Sequence, residues 1–391
     1  MKKEPLLLLI LISWIIGCTG SEEKYEILEL VSKRIIEIPL DEYTSSTWGT
    51  LQYLNLGEDE YLVFHDQIKS REKKIHFAHI NEKGRSFQVN VSLDGPNGVG
   101  HLDSFHVKNL DSIFVLNQYA YRLYLIDTSG TVRDMYPLIG DNLQEPSEIT
   151  YLPFPFPFSQ IVDLGSKLFF PARPDVNTLE NYRLESYKTG ILLDLNTKKF
   201  SYKLGYPDSY INSGFWGMPL EISSSTVNFK DSLVVQSFSI EDRVMVYDFD
   251  LRPVDSPSLF REYYDGKFHS LPEPTMEPDI FYPHIFSNPT NKAILFDPYR
   301  DLYYRIFSGP YPEEIIEQRK KSNFRRLPDD NEYPDRKIMV FDREFNELGV
   351  IELDKKKYWV DFIRVVKEGV LIRVQSENEN KNIFEIFEVK L

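Results

Sequence analysis

One pattern of apolar and polar positions recurs along the chain. An apolar run ends in Asp or Asn, a polar turn follows, and a further run of strand-forming residues comes next. Asp and Asn side chains hydrogen-bond nearby backbone N–H groups in turns, and glycine supplies the positive φ that many turns require, so each copy predicts a β-hairpin. The runs that end in this way are residues 75–81, 121–127, 190–194, 244–248 and 338–342.

A second apolar run precedes each of these hairpins, and a further pair of runs closes the chain. The preceding runs are residues 61–64, 113–116, 168–170, 233–235 and 294–296, and the closing pair is 370–374 and 383–389. Several runs, such as 123–126, are apolar on both faces, which is typical of strands sandwiched between neighbouring sheets. Six such pairs predict an all-β fold, a β-propeller with six blades of four antiparallel strands.

The two ends of a propeller ring must meet. Residues 27–38 form a largely apolar stretch that could supply the outer strand of the last blade, beside residues 383–389. We therefore predict a single propeller domain over residues 27–391, closed by one strand from each end of the chain. The uneven spacing of the units disfavours a strict solenoid, and loops between strands would absorb it.

One segment departs from the strand pattern. Pro312 precedes two acidic residues, and three basic residues follow at 319–321. Proline suits the first helical turn, and acids at the start with bases at the end complement the helix dipole. A short helix is therefore predicted inside an insertion of about residues 308–336. Its basic end, which continues through residues 325–326, is either a partner patch or a solvated helix end.

Composition agrees with this fold class and excludes others. The 391 residues include 24 Tyr and 27 Phe but few alanines, a usage that favours strands over helices. Hydrophobic residues make up 42% of the chain and aromatic residues 14%, which is too much for a disordered protein. The net charge of −15 argues against nucleic acid as a partner, because phosphate recognition needs an excess of Lys and Arg.

The amino terminus is predicted to be an export signal. Two lysines precede an almost unbroken apolar run, residues 6–16, which is shorter than the about 20 residues that a membrane-spanning helix needs. The run ends in Ile-Ile-Gly-Cys at residues 15–18, which resembles a bacterial lipoprotein signal. The resemblance implies a signal peptide over residues 1–17, lipid attachment to Cys18, and a tether over residues 18–26. The alternative is an ordinary secretory signal with an incidental cysteine.

The lipid would determine where the protein resides. Two or more acyl chains hold a protein on a membrane, whereas one chain does not. The predicted location is therefore the bacterial outer membrane, with the lipid at Cys18 as the membrane contact. Glu22 and Glu23 follow this site closely, as in surface-export signals of some Gram-negative lineages, but an acidic pair also suits a tether that faces the periplasm. Both orientations stay open.

Several segments resemble a known family. They are the run 111–116, the glycine-containing loop 95–100 and Tyr-Tyr-Arg at 303–305. Together with the lipoprotein signal and the hairpins, they resemble uncharacterised bacterial lipoproteins known as domain of unknown function 4221, similar to six-bladed propellers of the TolB-like type. The resemblance covers nearly all of the chain after the signal and brings no established activity, so it assigns no catalytic residue. Residues 358–361 also resemble the YWTD repeat of another propeller family, but they occur once, with Val in place of Thr, and are interpreted as coincidence.

Motifs whose spacing implies a mechanism are absent from the sequence. There is no nucleophile elbow, Walker loop, His-Glu-x-x-His or EF-hand loop, and the glycines of residues 95–100 stand in the wrong order for dinucleotide binding. His76 and His79 are three apart in a predicted strand and face opposite sides, so no metal site is predicted from them. No cofactor is predicted, although the carboxylates at strand ends, such as Asp248 and Asp250, would also suit calcium.

Two aromatic segments are unusually apolar for connections, residues 153–158 and 215–219. They either line one mouth of the ring as a ligand surface or plug the channel and cover blade edges. The candidate residues of a ligand-binding face are Arg173, Trp216, His284 and Arg305.

The leading hypothesis is a membrane-anchored, non-enzymatic propeller that binds or scaffolds an envelope protein, a peptide or a glycan. The main alternative is a propeller enzyme, a glycan hydrolase or lyase that uses the axial loop face, and a third is a structural envelope component. Convergence of His284, Arg173 or Arg305 with two carboxylates would favour catalysis, whereas an apolar or plugged mouth would favour binding.

Overall fold

Six antiparallel sheets form the body of the protein. The structure is a computed structural model that describes residues 26–40, 44, 46, 48–66, 73–180, 182–259, 268–324 and 333–391. The sheets follow one another along the chain, and the first strands of neighbouring sheets contact each other. This arrangement is a ring of six blades, so the predicted six-bladed β-propeller is confirmed.

The strands differ mainly in length, and the first strand of the third sheet is split in two. In chain order they begin with β1 (Glu29–Pro39), β2 (Trp48–Leu56), β3 (Asp59–Asp66), β4 (Lys73–His79), β5 (Phe87–Val91), β6 (Ser104–Asn109), β7 (Ser112–Asn117), β8 (Arg122–Ile126), β9 (Val132–Pro137), β10 (Tyr151–Pro153), β11 (Val162–Asp163), β12 (Lys167–Pro174) and β13 (Lys188–Asp194). They continue with β14 (Phe200–Gly205), β15 (Ser223–Asn228), β16 (Leu233–Phe238), β17 (Val244–Asp248), β18 (Pro253–Asp255), β19 (Thr290–Asp297), β20 (Leu302–Ser308), β21 (Arg336–Phe341), β22 (Glu347–Leu353), β23 (Tyr358–Val366), β24 (Gly369–Val374) and β25 (Lys381–Lys390). Strands β2–β5 form blade 1, β6–β9 blade 2, β10–β14 blade 3, β15–β18 blade 4, β19–β22 blade 5, and β23–β25 with β1 form blade 6.

Blade 6 closes the ring with strands from both ends of the chain. β1 is its outermost strand and pairs antiparallel with β25, with Leu30 opposite Val389 and Ile38 opposite Asn382. Ile36 and Ile38 are buried in one cluster with Phe384. The predicted pairing of residues 27–38 with 383–389 is therefore confirmed.

The hydrophobic core lies between the blades. One cluster joins Val63 of blade 1 to Val115 of blade 2, and another joins Val235 of blade 4 to Tyr303 of blade 5. Because a strand in such a position has a neighbouring blade on each side, both of its faces must be apolar. This explains the runs that lack a strict alternation of apolar and polar residues.

Aspartates close most of the hairpins that join the third and fourth strands of a blade. Asp127, Asp194, Asp248 and Asp342 each accept hydrogen bonds from backbone N–H groups of their turn. In blade 1 the strand ends at His79, and its Nδ1 accepts from the backbone N–H groups of Asn81 (3.2 Å) and Glu82 (2.9 Å). An imidazole nitrogen thus replaces the carboxylate that blades 2–5 use.

The strand directions give the ring two different faces. Strands alternate in direction, so the connections between blades lie on the same face as the turns between second and third strands. We call this the long-loop face, since the longer connections lie on it, among them residues 92–103, 138–150 and 206–222. The opposite face carries the short turns and is called the short-turn face.

A segment of blade 3 fills the central channel. Residues 154–161, here called the plug segment, separate β10 from β11, although both of these strands pair with β12. Within it, Gln160 donates to the Leu51 carbonyl of blade 1 (2.6 Å), and the Pro157 carbonyl accepts from Arg364 of blade 6 (2.5 Å). Contacts with the inner strands of distant blades place the segment on the axis. Prolines suit it because they cannot donate to a strand ladder.

Helices are short and lie in connections. They are α1 (Asp208–Ile211), α2 (Pro278–Ser287) and α3 (Glu313–Lys321), with a 3-10 turn at Lys83–Arg85. The helix predicted after Pro312 is present as α3, which packs against α2, while residues 325–326 lie outside the described residues. Across the described ranges, no helix is both long and apolar enough to cross a bilayer. Cys18 and residues 1–25 also lie outside the described residues.

Candidate functional site

A cavity of about 160 Å³ opens on the long-loop face between blades 3 and 4. The plug segment contributes Phe154 and Phe156 to its wall, so the cavity lies against the closed mouth of the channel. Its other lining residues are Pro171, Ala172, Arg173, Pro174, Asp175, Val176, Thr178, Thr189, Tyr206, Met218, Glu221, Ile222 and Ser223.

Arg173 places a cation at the entrance of the cavity. It stands near the end of β12, opposite Leu152 of β10, and its guanidinium carbon lies 4.1 Å from the centroid of the Phe154 ring. The Phe154 and Phe156 rings in turn pack edge to face at 4.4 Å. In the described part of the chain, no carboxylate forms an ion pair with Arg173. Stacking fixes the plane of the guanidinium while its N–H groups stay available to a ligand.

Glu221 supplies a carboxyl group to the interior of the cavity. Its Oε1 accepts hydrogen bonds from the Tyr182 hydroxyl (2.9 Å) and from the backbone N–H of Gly217 (2.7 Å). Burial raises the pKa of the Glu221 carboxyl, and these two donors offset part of the rise. No described residue donates a hydrogen bond to Oε2. The carboxyl therefore takes up a proton more readily than an exposed glutamate, and it can then donate to a ligand.

Two hydroxyl groups line the wall formed by β13 and β15. Gln236 is fully buried, and its Nε2 donates to the Ser223 hydroxyl (2.9 Å) and to the Thr189 hydroxyl (3.4 Å). Because both hydroxyl oxygens accept from this amide, their own protons are free to be donated elsewhere. Ser223 and Thr189 both line the cavity, so they offer two further donors to a ligand.

Asp175 lies at the rim and is already engaged. Its carboxylate accepts a hydrogen bond from the hydroxyl of Tyr121, which belongs to blade 2. Burial, followed by this hydrogen bond, raises the pKa of the Tyr121 hydroxyl, so the phenol stays protonated and remains the donor. The interior of the cavity consequently presents mainly hydrogen-bond donors beside an aromatic wall.

Trp216 and His284 lie behind this cavity and do not line it. His284 of α2 donates from Nε2 to the Trp216 carbonyl (2.9 Å), and its Nδ1 accepts from Asn288 (3.3 Å). Burial lowers the pKa of His284, which keeps the ring neutral. Trp216 is buried and donates from Nε1 to the Ser213 hydroxyl (2.7 Å). The pair connects α2 to the 206–222 connection.

Arg305 lies between blades 4 and 5, fully buried. Its Nε donates to the Ser237 hydroxyl (3.0 Å), its Nη1 to the Asp242 carbonyl (2.7 Å), and its Nη2 to the Glu241 carbonyl. These contacts use the whole guanidinium to connect two blades. Of the four residues predicted for a ligand face, the structure thus places Arg173 in the cavity and the other three in contacts that hold the fold together.

Sequence reasoning missed Glu221, Thr189 and Ser223. Thr189 and Ser223 belong to different blades and have no motif in common. Glu221 stands two residues after the aromatic segment 215–219, which was singled out for its apolar character. An acidic residue so close to an apolar segment is the one available signal. The partner that positions it, Tyr182, lies some forty residues earlier in another loop.

Metal binding receives no support from the described residues. Within those ranges, no group of three or more His, Cys, Asp or Glu side chains is placed to hold an ion. Asp248, whose carboxylate would also suit calcium, directs an oxygen to backbone N–H groups of its own turn. The prediction of no cofactor, with calcium as its alternative, stays untested.

The fold and the cavity define the class of protein: a six-bladed β-propeller with a closed channel and a donor-lined cavity on its long-loop face. The chain belongs to the family described as "Domain of unknown function (DUF4221)", whose sequence profile matches residues 28–351. A comparison with curated proteins gives no match.

Two solved structures have a similar fold. One is a member of the same family from Bacteroides vulgatus ATCC 8482, with a TM-score of 0.76 and 22% sequence identity, over 94% of this chain and 99% of that chain. The other is a "putative exported protein" from Bacteroides fragilis NCTC 9343, with a TM-score of 0.50 and 10% identity, over 94% and 98% of the two chains. At these identities the likeness shows the fold alone.

Proposed function

We propose that this protein is a membrane-anchored, extracytoplasmic binding protein whose cavity between blades 3 and 4 takes an acidic sugar unit of a glycan. One observation carries the proposal: donors from Arg173, Thr189 and Ser223 converge beside an aromatic wall, where no described carboxylate pairs with the arginine. A cavity lined by donors favours a ligand that is rich in acceptors and negatively charged.

The chemistry of Arg173 favours a carboxylate. A planar guanidinium binds a carboxylate through two parallel hydrogen bonds, and stacking on Phe154 fixes the direction from which the ligand must approach. Protonation of Glu221 removes a negative charge that would repel the ligand. Affinity is therefore expected to increase as the pH falls toward the raised pKa of Glu221, provided that the ligand carboxylate stays ionised.

The size and walls of the cavity favour a single sugar ring. Pockets for drug-sized ligands are roughly 300–1,000 Å³, whereas this cavity is about 160 Å³. Phe154 and Phe156 present apolar surface against which the C–H face of a sugar ring packs, and Thr189 and Ser223 present hydroxyls to the ring substituents. An acidic peptide offers the same carboxylate but not this combination of an apolar ring face and ring oxygens.

Substitution of Arg173 by Ala should weaken binding of oligouronates by about 10- to 100-fold, since a hydrogen bond to a charged group contributes about 1.5–3 kcal/mol. Isothermal titration calorimetry with oligouronates, matched neutral oligosaccharides and acidic peptides would measure this. Arg252→Ala is the matched control, because Arg252 is an exposed arginine in a turn of the short-turn face. Equal affinity for neutral oligosaccharides, or unchanged affinity in Arg173→Ala, would contradict the assignment. Preference for the acidic peptides would assign the cavity to a peptide ligand.

The membrane anchor of this proposal rests on the lipoprotein-like signal that ends at Cys18. The Bacteroides fragilis neighbour, whose name describes an exported protein, agrees with an extracytoplasmic location. Cys18→Ser should abolish incorporation of radiolabelled palmitate and release the protein from the outer-membrane fraction. Ser21→Ala, a change in the same tether, should leave both unchanged. Continued labelling of Cys18→Ser would contradict lipid attachment at Cys18, and protease shaving of intact cells would distinguish surface from periplasmic display.

A second candidate function is supported by the two carboxyl groups at the cavity. Asp175 and Glu221 line it together with Arg173, and a carboxyl with a raised pKa is suited to act as a general acid. A glycan hydrolase or lyase would release product from the same oligouronates. Wild-type turnover that Glu221→Gln abolishes would establish the enzyme, whereas binding without turnover supports the binding protein.

A further inference from the structure

A second cavity, of about 480 Å³, opens at the long-loop end of blade 6. Blades 3 and 6 are opposite members of a ring of six, so this cavity lies across the ring from the first. Arg373, the penultimate residue of β24, lines it together with Trp359, Lys356, Lys381 and residues 374–379.

Arg373 is a buried cation without an acidic partner. Its exposed fraction is 8%, and its Nη2 donates to the side-chain oxygen of Asn382 (2.6 Å). Its Nη1 is buried and has no hydrogen-bond partner in the described part of the chain. Burial lowers the pKa of Arg373 to about 10, and no described carboxylate raises it again.

Aromatic rings surround the guanidinium of Arg373. Its central carbon lies 4.6 Å from the centroid of Trp359 and 5.1 Å from that of Phe362. Such contacts stabilise a desolvated cation by less than its burial costs. The remainder of the desolvation cost stays uncompensated in the free protein.

Two other buried arginines, Arg364 and Arg305, differ in this respect. Arg364 donates from Nε to the Leu51 carbonyl (2.7 Å), from Nη1 to the Ile363 carbonyl (2.6 Å), and from Nη2 to Pro157. Arg305 likewise uses all three of its nitrogens. In both cases the fold itself supplies the acceptors. Around Arg373 it supplies one acceptor and a cavity.

We propose that the cavity at the end of blade 6 is an anion-binding site, in which a carboxylate or sulfate group pairs with Arg373 between Trp359 and Phe362. The anion supplies the acceptors that the fold leaves out, and the rings remain packed on the guanidinium. Lys356 adds an exposed positive charge at the rim, whereas Lys381 is already paired with Glu37 (2.6 Å). Glu377 and Glu379 line the same cavity from the exposed loop.

The probes are sodium acetate and sodium sulfate, compared with sodium chloride at constant ionic strength. Each anion is titrated while tryptophan emission and the melting temperature are followed, since Trp359 touches the proposed site. We expect a saturable change in emission and a rise in melting temperature with acetate, sulfate or both. The anion that binds more tightly shows whether the cavity binds a carboxylate or a sulfate ester. Changes that do not saturate, or that chloride reproduces, would overturn the proposal.

Variants separate this site from a general salt effect. Arg373→Lys keeps the charge but lacks the guanidinium fork, so the affinity for the anion should fall at least tenfold. Trp359→Phe should remove the emission change while the rise in melting temperature persists. Arg173→Ala, at the other cavity, should leave both responses intact. The anion site of blade 6 can therefore be refuted while the proposed function holds, and the proposed function can be refuted while the anion site holds. If Arg373→Lys does not fold, equilibrium dialysis of radiolabelled sulfate and acetate against the wild-type protein decides, and no saturable binding of either would refute the site.

Discussion

A chain that lacks residues 1–40 is expected to lose cooperative folding. Without β1, blade 6 has three strands, and β25 becomes an unpaired edge. Leu28, Ile36 and Ile38 are each buried, and each such side chain contributes about 1.5–3 kcal/mol. Their loss alone, about 5–9 kcal/mol, is comparable to the whole stability of a typical domain, about 5–15 kcal/mol. Near-ultraviolet circular dichroism during heating would measure the transition.

The matched control is a chain that begins at residue 26 and retains β1. It should unfold in one sharp transition, because every contact of the closing strand is kept. A synthetic peptide of residues 26–40 should restore the transition when added to the shortened chain. If the shortened chain melts like the control, ring closure by β1 does not determine stability, and this interpretation of blade 6 fails.

Substitution of Arg305 by Ala should destabilise the protein by about 3–5 kcal/mol. The change leaves the Asp242 carbonyl and the Ser237 hydroxyl without the donor that Arg305 supplies, and the Glu241 carbonyl keeps only its hydrogen bond from Asn291 (3.1 Å). It also leaves a void where a large side chain was fully buried. Urea unfolding followed by tryptophan fluorescence would measure the free energy of unfolding.

Two further variants test whether the loss of stability comes from the buried contacts of Arg305. Arg305→Lys should retain part of the stability, since a lysine reaches one or two of the three acceptors. Arg252→Ala should stay within about 0.5 kcal/mol of wild type, because Arg252 is exposed. If Arg305→Ala kept full stability but lost ligand binding, Arg305 would belong to a ligand face after all, as its sequence position first indicated.

The architecture was predictable because its signals are local. Aspartates such as Asp127 and Asp342 mark the same turn in successive blades, and they do so through hydrogen bonds within four residues. Strand pairing across the ring is not local, yet residues 27–38 could be assigned because a propeller without a closing strand leaves an exposed edge. The role of His79 was not predictable, since no other turn in the described part of the chain has an imidazole in the position of the aspartate.

The cavity was much less predictable, because its groups come from distant parts of the chain. Arg173, Glu221 and Thr189 belong to a strand end, a loop and another strand, and no periodicity connects them. A polar residue within an apolar run also has two interpretations that sequence cannot separate. Arg305 and Arg173 look alike along the chain, but one has its acceptors within the fold and the other is exposed beside a phenylalanine.

The direction of β1 has a consequence for which way the protein faces. β1 enters blade 6 from the short-turn end, where Glu29 lies opposite Lys390, and the Glu26 carbonyl accepts from the backbone N–H of Val350 at the outer edge of blade 5 (2.9 Å). The eight residues after Cys18 span at most about 28 Å when fully extended. A lipid on Cys18 would therefore keep the short-turn side of the ring close to the bilayer. Both cavities would then open toward the aqueous side, where a polymer could reach them without approaching the lipid headgroups.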